Sequence, residues 1–268
     1  MNNGMSLSEI SIYPIKSLAG VSLSKSEVYP EGLKRDRMMM LVDENGLFIS
    51  QRKFPQLALL KVALTATGVK ISMPDSNSIE IGDASFLEDK MDVRIWSDHC
   101  VTFVAIGEIN LWFSQFLDAP VRLIKYDNKN PRATDPKYSN QNDIVSFADG
   151  FPLLIISQAS LDDLNSKLDE PVSMRNFRPN LVVNNCEAFA EDSWNRIKIG
   201  AITFEAVKLC SRCIMTTVNP LSGKKSERGE PYKTLSQYRL IEGKVCLGMN
   251  LIPRNKGLIA VGDTLRHL

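Results

Sequence analysis

The residues best suited to chemistry in this chain are Cys210 and Cys213, spaced Cys-Ser-Arg-Cys. A thiolate is a soft anionic ligand, and the charge of Arg212 beside it favours the ionised form. A zinc site needs a second close cysteine pair or histidine partners. The chain has 2 histidines, His99 and His267, and its other cysteines, Cys100, Cys186 and Cys246, are scattered. Thioredoxin-like exchange wants the motif to open a helix after a strand. Here the pair ends a strand and runs into residues 214–220, IMTTVNP, whose β-branched residues disfavour a helix. A strand-end thiolate free to take a metal remains. A buried structural pair fits the residues equally well.

Other chemistry-bearing side chains stand alone at element ends. Lys16 and Ser17 follow YPI, Arg35 and Arg37 sit in KRDR, and Arg178 sits in NFRPN. A cation just past a proline-broken strand can clamp a phosphate, although any one of them is equally an ordinary surface charge. Asp149, in FADG, precedes an apolar run and on its own reads as a turn residue. No histidine lies near a Gly-x-Ser-x-Gly elbow, so a hydrolytic triad is disfavoured. Neither a Gly-x-Gly-x-x-Gly run nor a Walker loop is present.

The elements that must position these residues are mostly strands. Residues 7–14, 38–42, 59–62, 69–73, 200–207 and 258–261 are short alternating or apolar runs bounded by turn residues. DENG, residues 43–46, marks a hairpin turn between two of them. Helices are expected over residues 109–117, 157–168 and about 234–239, with Ser157 or Ser160 capping the second. Two long polar stretches, residues 125–143 and 219–233, read as functional rims or connectors. The first of them is the seam between an N-terminal region, 1–122, and a C-terminal region, 123–268.

Composition bounds the partners. A 44% hydrophobic chain of 268 residues can bury a large core, and a net charge of +1 gives no field to recruit nucleic acid or an acidic membrane. The first ten residues lack a basic segment followed by an apolar one, and the apolar runs are too short to span a bilayer. A cytoplasmic location with reduced thiols is expected.

In order along the chain, YPIKS, LKRDR, SFADGFPLLIISQASLDDLN, NFRPNLVV, EDSW and CSRCIMTTVNP…GEPYKTLSQYR closely resemble the MOSC-domain family, especially the bacterial YcbX proteins and the mitochondrial amidoxime-reducing components. The resemblance covers nearly the whole chain. It implies an α+β, β-rich fold: a MOSC β-barrel with a smaller N-terminal α/β region packed on it. It implies a molybdenum cofactor (Mo-molybdopterin), with Cys213 as metal ligand and catalytic residue and Asp149 as an acidic residue near the metal. Lys16, Ser17, Arg37, Arg178, Ser211, Arg212 and Asn250 match the family's cofactor contacts. The family's Phe-Gly-Gln before the last of these is Leu247-Gly248-Met249 here. The implied activity is reduction of small N-hydroxylated substrates (hydroxylamines, amidoximes, N-hydroxylated bases), a detoxification. The given sequence has no iron–sulfur cluster motif, so electrons are expected from a separate ferredoxin- or flavoprotein-type donor, or from a C-terminal ferredoxin domain trimmed from this chain. The alternative is a sulfur-carrier or cofactor-delivery protein holding a persulfide on Cys213.

Overall fold

A computed structural model describes residues 4–268. Its largest sheet has the order β2 (Val21–Leu23), β1 (Ser6–Ile12), β15 (Leu181–Asn184), β14 (Leu153–Ser157), β19 (Lys244–Pro253), β17 (Ile202–Ser211), β16 (Arg196–Ile199), β21 (Leu265–His267). The β21 end of this order returns to β1, beside which β2 lies as a short outlying strand. Ser6 bridges Thr264, and the Leu7 and Leu265 amides bond to Asp263 and Met5 carbonyls at 2.9 Å each. The sheet thus closes into the expected barrel, which removes its exposed edges. Its interior holds Leu7, Ile10, Ile12, Leu153, Ile155, Phe204 and Leu251, all buried.

Strict alternation in β1 would send Leu7 and Ile10 to opposite faces. A bulge between Leu7 and Glu9 resets the phase, so Leu7, Ile10 and Ile12 all point inward. The continuous LLIIS of β14 is covered on both sides. Leu153 and Ile155 face the barrel interior. Leu154 and Ile156 pack in the cluster with Leu161 and Leu164 of α2 (Gln158–Asn165). Ser157 caps α2 by accepting the Ser160 amide at 3.1 Å. The three-stranded sheet of β20 (Gly257–Ala260), β3 (Lys25–Tyr29) and β4 (Gly32–Leu33) packs Val28, Leu33 and Ile259 into the barrel core.

A second core belongs to the N-terminal half. It lies among the sheet β5 (Met39–Val42), β11 (Arg122–Tyr126), β10 (Asp98–Ala105), β9 (Phe86–Ile95), the sheet β6 (Lys61–Leu64), β7 (Gly68–Ser72), β8 (Ser78–Gly82), and α1 (Gly107–Leu117). Ile109 and Phe113 of α1 meet Leu41 and Leu123 there. The seam at 122/123 divides the sequence; in space, β1 lies in the barrel wall beside β15.

Several local expectations change. The DENG turn closes, with Asp43 Oδ1 accepting the Asn45 and Leu47 amides at 2.9 Å, but the returning arm is one bridge, Val42 to Phe48. Residues 59–62 straddle a 3-10 turn (Pro55–Leu59) and β6. The stretch after Cys213 forms a 3-10 turn (Ile214–Thr217), in which Thr216 and Thr217 hydroxyls bond back to the carbonyls of Cys213 and Ile214. The third helix is α3 (Tyr232–Tyr238). Within the first polar stretch, β12 (Arg132–Ala133) pairs with β13 (Ile144–Val145), and β18 (Leu240–Ile241) pairs with β19.

Candidate active site

Every residue expected at the site from the sequence lines one cleft between the barrel and the N-terminal half, a space of about 880 Å³ counting the part open to solvent. Lys16 and Ser17 come from the connection between β1 and β2, and Arg37 from the loop before β5. Asp149 comes from the turn before β14, and Arg178 from the turn before β15. Ser211, Arg212 and Cys213 come from the end of β17, and Asn250 from β19 beside it. Gly248 sets that last approach. At φ +83°, an added Cβ would lie 2.6 Å from Ile156 and 2.8 Å from the Ile155 carbonyl. No L side chain fits there without displacing β19 from β14. Asn250 is tied by its Nδ2 to the Lys208 carbonyl at 3.0 Å.

The cleft is a concentration of positive charge. Its walls hold Lys16, Arg37, Arg52, Arg178 and Arg212 against a single carboxylate, Asp149. Lys16 is buried and donates to Asp149 and, at 2.8 Å, to the Phe147 carbonyl. Burial lowers the Lys16 pKa, and Asp149 partly offsets this. Burial would raise the Asp149 pKa, but Lys16 outweighs it and holds the carboxyl well below its usual range. The Asp149 side chain still shows 67% of its surface to the cleft.

Arg37 and Arg178 stack on the one Tyr13 ring, their guanidinium carbons 4.2 and 4.1 Å from its centroid. Gly20 makes room for that ring, since a Cβ there would lie 2.6 Å from it. Arg37 pairs with buried Asp36 at 2.6 Å and donates to Asn180 Oδ1 at 3.0 Å. Arg178 donates to the Leu18 carbonyl at 2.6 Å, and burial lowers its pKa to about 10, which leaves it charged at neutral pH. Ser17, Arg37 and Arg178 all take left-handed backbone, with φ of 72°, 48° and 55°. Non-glycine residues rarely adopt it, and they persist in it where surrounding contacts over-determine the chain, often at functional sites.

One expectation about the cysteines is corrected. Arg212 does not sit on Cys213: its Nη1 donates to Cys210 Sγ at 2.9 Å and its Nη2 to the Phe177 carbonyl at 2.6 Å. Cys210 lies in the last paired stretch of β17, whose register shifts between Leu209 and Ser211, and Cys213 lies past its end. Cys213 is exposed to the cleft, Cys210 is half-buried, and all five cysteines are free thiols. Among the described residues, no three of His, Cys, Asp and Glu gather as ligands for one ion.

The sequence reading missed several supporting residues. Buried Arg132 bonds to the Ser146 and Ala148 carbonyls at 2.9 and 2.7 Å and to the Asp149 carbonyl, which fixes the turn carrying Asp149. Nothing in the polar stretch around it signals that burial. Asn180 ties Arg37 to the Leu154 amide; its place in NFRPN was the available signal. Phe48, Arg52 and Trp96 form the wall beside Asp149.

Comparison with known proteins gives this geometry a context. Residues 4–120 match the MOSC N-terminal beta barrel domain, and residues 142–266 match the MOSC domain. The chain is 35% identical to mitochondrial amidoxime reducing component 2 of Rattus norvegicus over 98% of its own length and 83% of the relative's. It belongs to the MOSC-domain family. Other MOSC relatives include mitochondrial amidoxime-reducing component 1 of Danio rerio, 32% identical over 96% of this chain and 83% of that protein, and the human component 1, 34% identical over 96% and 81%. Among solved structures, the YUAD protein of Bacillus subtilis aligns over 97% of this chain at 12% identity with a TM-score of 0.44.

The MOSC assignment implies a molybdenum cofactor, and the residues fit one. A dithiolene-bound metal needs a soft anionic ligand, and the Cys213 thiol faces the cleft. A terminal phosphate needs several cations, and the cleft holds them. Arg212 Nε is buried without a hydrogen-bond partner among the described residues, as expected of a donor waiting for an acceptor. No helix among the described residues is long and apolar enough to cross a membrane.

Proposed function

We propose that this protein is a molybdenum-cofactor oxidoreductase that reduces N-hydroxylated compounds, with electrons from a separate ferredoxin- or flavoprotein-type donor. The observation that carries the reading is an anion cradle (Arg37, Arg178 and the unsatisfied Arg212) opening onto the same cleft as the exposed thiol of Cys213. In this reading Lys16, Ser17, Arg37 and Arg178 grip the phosphate end of the cofactor, Ser211, Arg212 and Asn250 line its pterin, and Cys213 ligates the metal. When bound, the cofactor supplies a two-electron redox centre and Lewis acidity.

The remaining work falls to this chain's side chains. The substrate reaction is R–NH–OH + 2 e⁻ + 2 H⁺ → R–NH₂ + H₂O. Asp149, kept ionised by Lys16, is an acceptor only. It orients the substrate by accepting a hydrogen bond from N–H or O–H rather than by donating a proton. We place this activity in the cytoplasm, in keeping with five unpaired cysteines, where it clears N-hydroxylated bases. A persulfide carrier would have no use for the cradle.

The test pairs metal analysis with turnover. Cofactor-loaded protein should contain about one molybdenum per chain and reduce 6-hydroxylaminopurine or benzamidoxime anaerobically with an artificial donor. Loaded protein that reduces neither substrate, while an active relative does, refutes the reductase reading. A stable extra sulfur on Cys213 without bound molybdenum would point to the carrier instead.

A further inference from the structure

The wall of the cleft beside Asp149 has no task in the reading above. Trp96 occupies the tip of the β9–β10 hairpin with a left-handed backbone, φ 56°. It is 47% exposed, whereas Trp112 and Trp194 are 8% and 3% exposed. Exposure at a hairpin tip usually means a mobile side chain, but Trp96 is braced on three sides. Its ring lies 4.9 Å from Phe48, the Arg52 guanidinium stacks 4.3 Å from its centroid, and its Nε1–H reaches Asp149 Oδ1 at 3.4 Å. Arg52 is itself held by Ser50 Oγ at 3.3 Å and pairs with no carboxylate among the described residues. Lys225 Nζ bonds the Arg52 carbonyl at 2.7 Å, which fixes this wall to the loop that follows Cys213. A large aromatic surface is therefore held rigid yet left open, next to the carboxylate that orients substrate. A rigid aromatic binds with little loss of conformational entropy, and a neighbouring guanidinium adds donors at the edge of whatever stacks on the ring.

We propose that Trp96, braced by Phe48 and Arg52, is the substrate platform of this cleft and selects planar, π-conjugated N–OH compounds (N-hydroxylated purines and aryl amidoximes) over aliphatic hydroxylamines. The proposal rests on the reductase reading and assigns its specificity to the N-terminal half of the chain. A flat conjugated substrate stacks on the open indole face and turns its N–OH group toward Asp149. An alkyl hydroxylamine has no π face to stack and keeps only the polar contact.

The platform is tested first by binding, without turnover. Calorimetry on oxidised, molybdenum-loaded protein with no electron donor measures the affinity for 6-hydroxylaminopurine. Trp96→Ala should weaken it by roughly ten- to a hundredfold, the usual worth of one base–aromatic stack, and Trp96→Phe should restore it to within about threefold. In turnover, the kcat/KM ratio of 6-hydroxylaminopurine to N-methylhydroxylamine should fall by at least about tenfold in Trp96→Ala, with the loss in KM. Equal purine affinity in wild type and Trp96→Ala overturns the proposal, and so does an equal loss for both substrates. Loss of pterin from Trp96→Ala also overturns it, because Trp96 would then serve the cofactor. Purine binding that depends on Trp96 in a loaded enzyme that reduces nothing supports the platform and sinks the reductase reading alone.

Discussion

Cys210 and Cys213 sit in one short motif but differ in surroundings, Cys210 half-buried against Arg212 and Cys213 exposed, and their substitutions should part accordingly. Cys213→Ser removes the exposed thiol of the cleft and should bring molybdenum content close to zero. Cys210→Ser keeps that ligand and should retain most of the metal, with a modest loss of stability from the missing Arg212 contact. Metal analysis of the two purified variants checks this; equal loss in both would mean that the motif acts as a unit. Arg37 makes a second prediction. Asp36 is 1% exposed and bonds both Arg37 and the Tyr13 amide. Arg37→Met strands that carboxylate, and breaking a buried pair from one side costs about 3–5 kcal/mol. A thermal midpoint lowered by less than a degree or two would show that water rescues Asp36.

Single elements carry their own consequences. Gly248→Ala forces a Cβ into the contact between β19 and β14 at a positive φ, so it should cost about 2 kcal/mol or more and displace Asn250. The denaturant midpoint should fall with an unchanged slope. The segment after β11 is anchored by Asp127, which accepts from Lys90 Nζ at 2.7 Å, the Lys129 amide at 2.9 Å and Asn130 Nδ2 at 2.8 Å. The Lys90 hydrogen bond above all lowers its pKa to about 2. The folded state thus favours the ionised form. Its contribution is whole above the unfolded value of about 4 and disappears as pH falls through about 2. Thermal midpoints of wild type should drop across that window, and Asp127→Asn should show a shallower drop. The strands were legible because alternation and turn residues mark them locally. The bulge in β1 and the one-bridge DENG arm were not, because each is fixed by a distant partner, β15 and the Leu47–Arg94 bridge; the 3-10 turn after Cys213 was hidden because its threonine hydroxyls bond back to carbonyls three residues earlier, against the β propensity of the run.

At the scale of the molecule, the cleft's membership was legible from motif order, since every expected site residue lines it. Its internal wiring was not. Lys16 joined to Asp149, Arg212 drawn to the Phe177 carbonyl, and Arg132 buried behind the turn all follow from contacts between residues well separated in the chain. The same long reach governs how the protein is made. The first strand of the barrel finds its neighbour only when residues 181–184 exist, and the ring closes only at Thr264. At ordinary rates of synthesis, β1 waits on the ribosome for roughly ten to thirty seconds before β15 emerges. The cradle that spans Lys16 to Asn250 cannot take shape before then. A cofactor held by that cradle would therefore enter only after the segment through Asn250 has been made.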